Sequence, residues 1–185
     1  MSVRPIRLFG DPVLRQQARP VDGFDRSLRR LVDDLVDTLD DSGGAGLAAP
    51  QIGVGLRVFV YGVDDPGSPN HRSIAHLINP VLVEQSEDQV DDEEGCLSIP
   101  GLTCRLPRPR RIVARGSDVH GEPVQIVGTE RLARCLAHET DHLDGVLFVD
   151  RLDPDRRRAA LREIRRLMLE GESVTVKESP HPPRM

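Results

Sequence analysis

The sequence predicts an α+β domain, for three reasons. Helical periodicity occurs in three well-separated segments of the 185 residues. Short apolar runs bounded by Gly, Pro, Asn or Asp lie between these segments and predict strands. The strands and helices do not alternate as they do in repeated βαβ units, so a doubly wound parallel sheet is not expected.

Three helices and one helical turn are predicted from apolar spacing and capping residues. Asp11 followed by Pro12 predicts a short turn of helix. The first long helix, of about four turns, has its apolar residues at Phe24, Leu28, Leu31, Leu35 and Leu39. The second has its inward residues at Leu132, Leu136, Ala137, Thr140 and Leu143. This second helix is expected to end near Gly145, and a third helix runs from Pro154 to about Glu170.

Four strands are predicted, at Leu56–Tyr61, Leu77–Val83, Ile112–Ala114 and Pro123–Val127. Pro80 lies within the second run and implies an edge position or a bulge, because proline has no N–H to donate to a neighbouring strand. The last two runs flank Asp118–Glu122, which contains a turn glycine. We therefore expect them to form a hairpin.

The other segments are predicted as loops or as a tail. Ala45–Gln51 follows the first helix as a loop, and Asp64–Arg72 is rich in turn residues. Glu84–Glu94 carries seven acidic residues and is predicted as a solvated loop. Residues 1–170 are expected to form a single domain, and residues 171–185, which contain three prolines and little to bury, a disordered tail.

Composition restricts the class of protein. Aromatic residues are only 3% and the net charge is −5, which argues against a stacking surface for nucleic acid and against DNA binding. No apolar stretch approaches the roughly 20 residues of a membrane span, and Met1–Phe9 does not resemble a secretory signal. The sparse set Cys96, Cys104 and Cys135 is typical of a reduced, cytoplasmic protein with free thiols or metal ligands.

The segment His138–His142, with the sequence His-Glu-Thr-Asp-His, predicts a metal site on the second helix. His138 and His142 are four residues apart, so both imidazoles lie on one helical face and can bind the same ion. Glu139 lies beside them, where its carboxylate can take a proton from a metal-bound water and pass it to a leaving nitrogen. This pattern indicates a metal-dependent hydrolase. The alternative is a solvated polar helix face.

A third ligand is needed for such a site. Cys135 shares the helical face, but it lies about 10.5 Å from His142 along the axis, too far for a short thiolate to close with a metal–sulfur bond of about 2.3 Å. We expect Cys135 to pack beside the site. Cys96 follows Gly95, whose lack of a side chain permits close approach of the backbone. On spacing alone Cys96 ranks only slightly above Cys104.

Several segments, in this order and at these separations, resemble the peptide deformylase family. The three most specific ones are Gly44–Gln51, Glu94–Ser98 and His138–His142. Gly10–Arg15 and Ile78–Pro80 are also similar, and the likeness covers roughly residues 5 to 170. It implies a catalytic domain of antiparallel sheets packed around a central metal-binding helix.

The resemblance also implies the ligand set and the reaction. Cys96, His138 and His142 become the protein ligands of one divalent ion, Fe(II) in preference to zinc, nickel or cobalt. The substrates are N-formyl-methionyl peptides, from which formate is released with Glu139 as general acid and base. The Gln51 side-chain amide and the Leu97 backbone N–H become the donors to the oxyanion.

Substrate binding is assigned by the same resemblance. A peptide backbone pairs with Ala45 and Gly46, and Gly95 and Cys135 lie beside an apolar pocket for the methionine side chain.

Departures from the family pattern affect the rim of this site. Arg131 and Arg134 stand on the pocket helix where apolar residues are commoner. Thr103 stands near the position of a substrate-holding arginine, a role that Arg105 or Arg108 would then take.

Two alternative functions remain open, and so does contact with the ribosome. A general metallopeptidase shares the helix motif, although such enzymes more often complete the ligand set with His or Glu. A non-catalytic, ribosome-associated metal-binding module is the second alternative. The third helix carries six arginines between Asp155 and Glu170 and is expected either to be an ordinary solvated face or to touch ribosomal RNA. The protein is expected to be a monomer.

Overall fold

A computed structural model of the chain describes residues 2–64 and 72–170. Most of the predicted loop 64–72 and all of the tail 171–185 lie outside these residues. The helices are α1 Arg26–Ser42, α2 Glu130–Leu143 and α3 Pro154–Leu169. The strands are β1 Gly46–Ala48, β2 Val58–Asp64, β3 Arg72–Gln85, β4 Gln89–Cys96, β5 Ile99–Pro109, β6 Arg111–Ser117 and β7 Pro123–Thr129. Short 3-10 helices occupy Pro12–Arg15, Ala49–Ile52 and Phe148–Arg151.

The strands form two antiparallel sheets, and α2 contacts strands of both. The larger sheet has the order β1-β2-β3-β6-β7, and β4 pairs with β5 in a two-stranded sheet. Ten residues of α2 are buried, including every residue of Cys135–Leu143. The predicted α+β fold, with antiparallel sheets around a central helix, is confirmed.

The helices begin and end where the capping residues indicate. Asp25 accepts hydrogen bonds from the backbone N–H groups of Ser27 and Leu28 at 2.8 and 3.1 Å and so starts α1. Gly43 ends α1 in the left-handed region, at φ 65°. The predicted turn at Asp11 is a 3-10 helix capped by that carboxylate. Gly145, at φ 72°, follows α2 as expected.

Two segments that were predicted to be loops contain strands, so these predictions are wrong. The acidic stretch Glu84–Glu94 belongs largely to strands, because β4 pairs with β5 along its whole length. Arginines that follow in the sequence neutralise its charge, as in the Arg110–Asp88 ion pair at 2.6 Å. The predicted loop Ala45–Gln51 contains β1 and the start of a 3-10 helix, and β1 pairs with β2.

Pro80 marks a bulge, and the alternative of an edge position is wrong. β3 lies inside the large sheet, between β2 and β6. Its pairing with β6 shifts between Ile78 and Val81, around Pro80. Asn79 takes a positive φ of 50° there, and its side chain holds Val21 through bonds of 2.8 and 2.9 Å to the backbone N–H and C=O. The missing proline N–H is therefore accommodated where the ladder is already interrupted.

In the described part of the chain, no helix is long and apolar enough to cross a membrane.

Candidate metal centre

Three side chains converge between α2 and the end of β4. The ligand atoms of Cys96, His138 and His142 all lie within 4.8 Å of one another. The Cys96 Sγ is 3.2 Å from the His142 Nε2, and the two imidazole rings meet edge to face at 4.9 Å between centroids. The structure thus brings together the three predicted ligands. Cys104 and Cys135 are not part of this group.

The chemistry of the group suits a divalent cation. Burial opposes ionisation of the Cys96 thiol, but the nearby His142 and His138 outweigh it and hold the pKa of Cys96 well below 9.0. A thiolate with two imidazoles is a donor set for a metal that tolerates soft ligands. Among the described residues, the two buried side-chain atoms without a hydrogen-bond partner are Glu139 Oε2 and His142 Nδ1, and both belong to this centre.

Glu94 orients the first of the two histidines. His138 donates from Nδ1 to Glu94 Oε1 at 2.8 Å, which leaves Nε2 as the ring nitrogen available to a metal. Burial would raise the pKa of Glu94, but hydrogen bonds and charges from Arg108 and His138 hold it far below its ordinary value. The carboxylate is 4% exposed. The sequence interpretation missed this residue, because it lies in the acidic stretch predicted to be a solvated loop.

A second acidic residue, on α2, continues this network. Asp141 accepts from Arg108 at 2.9 Å and from Arg151 at 2.6 Å. Arg108 also donates to Glu94 at 2.6 and 3.0 Å, so it joins β4, β5 and α2. Glu94, Arg108 and Asp141 are buried and Arg151 is exposed, and each of these charges is paired.

Glu139 lies one residue after His138 and is 3% exposed. Burial raises its pKa to about 7, against the opposing effect of the two histidines. A carboxylate with that pKa can both accept and return a proton near neutral pH. It also has little free space, since a Cβ atom added at Gly46 would lie 2.5 Å from its Oε1.

Gln51 is held so that its amide faces the cysteine. Its Oε1 accepts from the Ala48 backbone N–H at 2.8 Å, which turns Nε2 towards Ser98 Oγ at 3.2 Å and Cys96 Sγ at 3.6 Å. Leu97 directly follows Cys96, and both Gln51 and Leu97 line the same cleft. The two predicted oxyanion donors therefore line the cleft from different segments, Gln51 from a 3-10 helix and Leu97 from the turn between β4 and β5.

The centre and the fold match a known family. The family model described as polypeptide deformylase matches residues 3–158. The chain belongs to this family.

Relatives cover nearly the whole chain. The peptide deformylase of Acidothermus cellulolyticus is 58% identical over 184 residues, which are 100% of this chain and 98% of that protein. A crystal structure of a peptide deformylase from Legionella pneumophila has a TM-score of 0.80 at 40% identity and covers 91% of this chain and 97% of the other. The peptide deformylase from Ehrlichia chaffeensis in complex with actinonin has a TM-score of 0.82 at 37% identity, with 90% and 98% covered. The chain is accordingly a hydrolase that acts on N-formyl peptides.

The deformylase centre opens into a cleft of about 1250 Å³. The cleft is lined by all four of the predicted substrate-binding residues, namely Ala45, Gly46, Gly95 and Cys135. The Cys135 thiol donates to the Ala45 carbonyl oxygen at 3.5 Å, so it connects α2 to the segment before β1. Cys135 is therefore placed on the cleft wall.

The expected replacement for a substrate-holding arginine is not found. Thr103 lines the cleft, but neither Arg105 nor Arg108 does. Arg108 is 6% exposed and committed to the buried carboxylates, and Arg105 pairs with Asp91 at 3.2 Å on the surface. The expectation that one of the two arginines takes over the role of the missing one is wrong, because both pair with acidic residues, Arg105 with β4 and Arg108 with β4 and α2.

Proposed function

We propose that this deformylase removes the formyl group from the amino-terminal formyl-methionine of newly made proteins and releases formate. The observation that supports it best is the combination of a Cys-His-His group with a buried carboxylate, Glu139, whose Oε2 has no hydrogen-bond partner among the described residues. Holding an ion requires no such carboxylate, whereas moving a proton does. Membership of the family supplies the substrate class.

In this proposal Cys96, His138 and His142 hold one divalent ion. Fe(II) is the ion we propose, with zinc, nickel or cobalt able to take its place, since a thiolate with two imidazoles accepts all of them. The ion would supply Lewis acidity, which polarises the formyl oxygen and lowers the pKa of water towards neutrality.

The side chains around the ligands then carry out separate steps of the reaction. Glu139 accepts a proton from the attacking water as the C–O bond forms, and it delivers that proton to the amine nitrogen as the C–N bond breaks. Formate and a peptide with a free amino terminus result. The Gln51 amide and the Leu97 backbone N–H donate hydrogen bonds to the oxygen on which negative charge develops.

The peptide lies along the unpaired edge of β1 in this scheme. Edge strands accept an added strand through backbone hydrogen bonds, and within the described part of the chain β1 has only β2 as a neighbour in its sheet. Ala45 and Gly46 would pair with the peptide, while Gly95 and Cys135 border the pocket for the methionine side chain.

A formate-release assay with metal analysis tests this function. Protein purified without oxygen is expected to contain about one metal ion per chain and to release formate from formyl-Met-Ala. Glu139→Ala should keep the metal and lose about 100-fold or more in kcat, which is within the usual contribution of a general acid and base. An active Glu139→Ala variant would contradict the role of this carboxylate.

The same assay decides against the alternatives. A general metallopeptidase would cleave the internal amide of a formylated tripeptide at a rate comparable with deformylation. A non-catalytic ribosome-associated module would bind metal and release no formate. We expect deformylation alone, because peptidases with this helix motif more often have His or Glu than Cys as third ligand, and a bare metal-binding module needs neither Glu139 nor Gln51.

We further infer that residues 1–170 form the single catalytic domain and that the protein acts as a cytoplasmic monomer on nascent chains. Contact with the ribosome would involve α3. Its arginines lie on an exposed face, whereas Ala160 and Ile164 are buried. Such a face suits the phosphates of RNA.

A further inference from the structure

Arg134 lies one helical turn before His138 on the wall of the cleft, and its guanidinium is directed to the β4–β5 hairpin. Its side chain is only 12% exposed. It donates from Nη1 to Glu94 Oε2 at 2.9 Å and to the Leu106 carbonyl at 2.8 Å, and from Nη2 to the Val90 carbonyl at 2.7 Å. All three acceptors belong to the β4–β5 hairpin, which also carries Cys96.

The ligand set is divided between two elements, so its geometry depends on what joins them. His138 and His142 come from α2, and Cys96 comes from the end of β4. Arg108 reaches from the hairpin to Asp141 on α2, and Arg134 reaches from α2 back to the hairpin. The two arginines thus join the elements in opposite directions.

Glu94 is where these connections meet the metal ligands. Its Oε1 accepts from Arg108 and from His138, and its Oε2 accepts from Arg108 and from Arg134. Without Arg134, one buried lone pair of the carboxylate would lose its donor, and three of the four hydrogen bonds that fix the carboxylate would remain. The His138 ring takes its orientation from Glu94, so it would lose part of that constraint.

We propose that Arg134 is a positioning residue of the metal centre, which holds Glu94 against His138 and fixes the Cys96 hairpin on α2. The proposal rests on the proposed function only in that Cys96, His138 and His142 bind an ion. It also explains how a charged residue is tolerated at a position where apolar residues are commoner. The guanidinium lines the cleft, but its charge is neutralised by Glu94 and its N–H groups are directed to backbone carbonyls.

Arg131 provides a matched control on the same helix. It is exposed, and it makes no hydrogen bond or ion pair with any described residue. Replacing either arginine with leucine removes the same charge and the same side-chain length. Only Arg134→Leu should disturb the metal ligands.

Cobalt binding measures the effect without reference to turnover. Metal-free wild type, Arg134→Leu and Arg131→Leu are titrated with Co(II), whose visible and thiolate-to-metal bands report the coordination geometry. We expect Arg134→Leu to bind Co(II) about 10-fold more weakly, the lower end of the range for outer-shell partners of metal ligands, with shifted bands. Arg131→Leu should match the wild type within twofold.

A double variant shows whether the effect passes through Glu94. Glu94→Gln alone should weaken Co(II) binding, and Arg134→Leu should add little to it if both act on His138 in sequence. If the effects of the two substitutions on the free energy of Co(II) binding are fully additive, the proposed route through Glu94 is wrong. A role in stability alone would lower the urea midpoint of the metal-free protein and leave the Co(II) bands unchanged, and that result would also overturn the proposal.

If Arg134→Leu does not fold, Arg134→Lys carries the test. Lysine keeps the charge but cannot serve three acceptors from a planar group. It should bind Co(II) at least threefold more weakly, with shifted bands, and wild-type values would count against the proposal. A wild type that binds Co(II) but releases no formate would instead contradict the proposed function and leave the role of Arg134 standing.

Discussion

Replacing Gly46 with alanine tests the position of the Glu139 carboxylate without changing a charge or a ligand. Gly46 is buried in β1, opposite Tyr61. A Cβ atom there would lie 2.5 Å from Glu139 Oε1, 2.9 Å from Glu139 Cδ and 2.8 Å from Cys135 Sγ. Its φ lies outside the left-handed region, so alanine can adopt the backbone of β1 and the effect should be steric.

The size of the effect follows from these distances. Ordinary contacts begin near 3.4 Å, so the carboxylate of Glu139 must retreat by about 0.9 Å from its present 2.5 Å. A misplacement of about 1 Å in a reacting group can cost about 100-fold in rate. We expect kcat/KM for formyl-Met-Ala to fall 10- to 100-fold, which corresponds to about 1.4 to 2.7 kcal/mol of transition-state stabilisation.

The assay measures formate release at several substrate concentrations. The metal content is measured on the same samples. The metal content should not change, because no metal ligand is among the three nearest atoms. Gly55→Ala serves as the control, since a Cβ atom at Gly55 meets nothing within 4 Å. If Gly46→Ala keeps its metal and stays within threefold of the wild type, Glu139 does not act from the position described.

Three further predictions concern stability, boundaries and partners. Leu35→Ala in α1, where the side chain is fully buried, should lower the free energy of unfolding by about 2 to 5 kcal/mol in urea titrations, and a change below 1 kcal/mol would contradict the packing. A chain that ends at Glu170 should keep kcat within twofold, and a larger loss would place part of the catalytic domain beyond that residue. The charge reversals Arg157→Glu, Arg162→Glu and Arg166→Glu together should weaken co-sedimentation with ribosomes at low salt and spare turnover of formyl-Met-Ala. Unchanged co-sedimentation would end the idea of contact through α3.

The helices and the histidine pair could be predicted from the sequence because their determinants are local. The spacing of Leu28, Leu35 and Leu39 specifies one buried face of α1, and Asp25 and Gly43 cap it through contacts within a few residues. The separation of His138 and His142 specifies a shared face on α2 in the same way. These properties do not depend on what the helix packs against.

The parts that were missed depend on partners distant in the sequence. Glu94 was assigned to solvent because its neighbours are acidic, yet its environment is set by Arg108, His138 and Arg134, which are 14, 44 and 40 residues away. β1 has only three residues, and it is a strand because β2 pairs with it. An amino-acid composition averaged over Glu84–Glu94 cannot distinguish the one buried carboxylate in this stretch from the six exposed ones.

The sequence nevertheless contains a signal for the β4–β5 hairpin, which the prediction did not include. Leu102, Cys104 and Leu106 alternate with more exposed residues, which is the pattern of a half-buried strand, and Arg108 continues their phase onto the buried face. A buried arginine requires an anion, and the preceding acidic stretch is the nearest source along the chain. Once that stretch is treated as the partner strand, its side chains must also alternate, so only every second acidic residue can face inwards. Glu94 is in that phase and two residues before Cys96, so alternation predicts that its carboxylate faces inwards, although the pairing register shifts between Gly95 and Cys96.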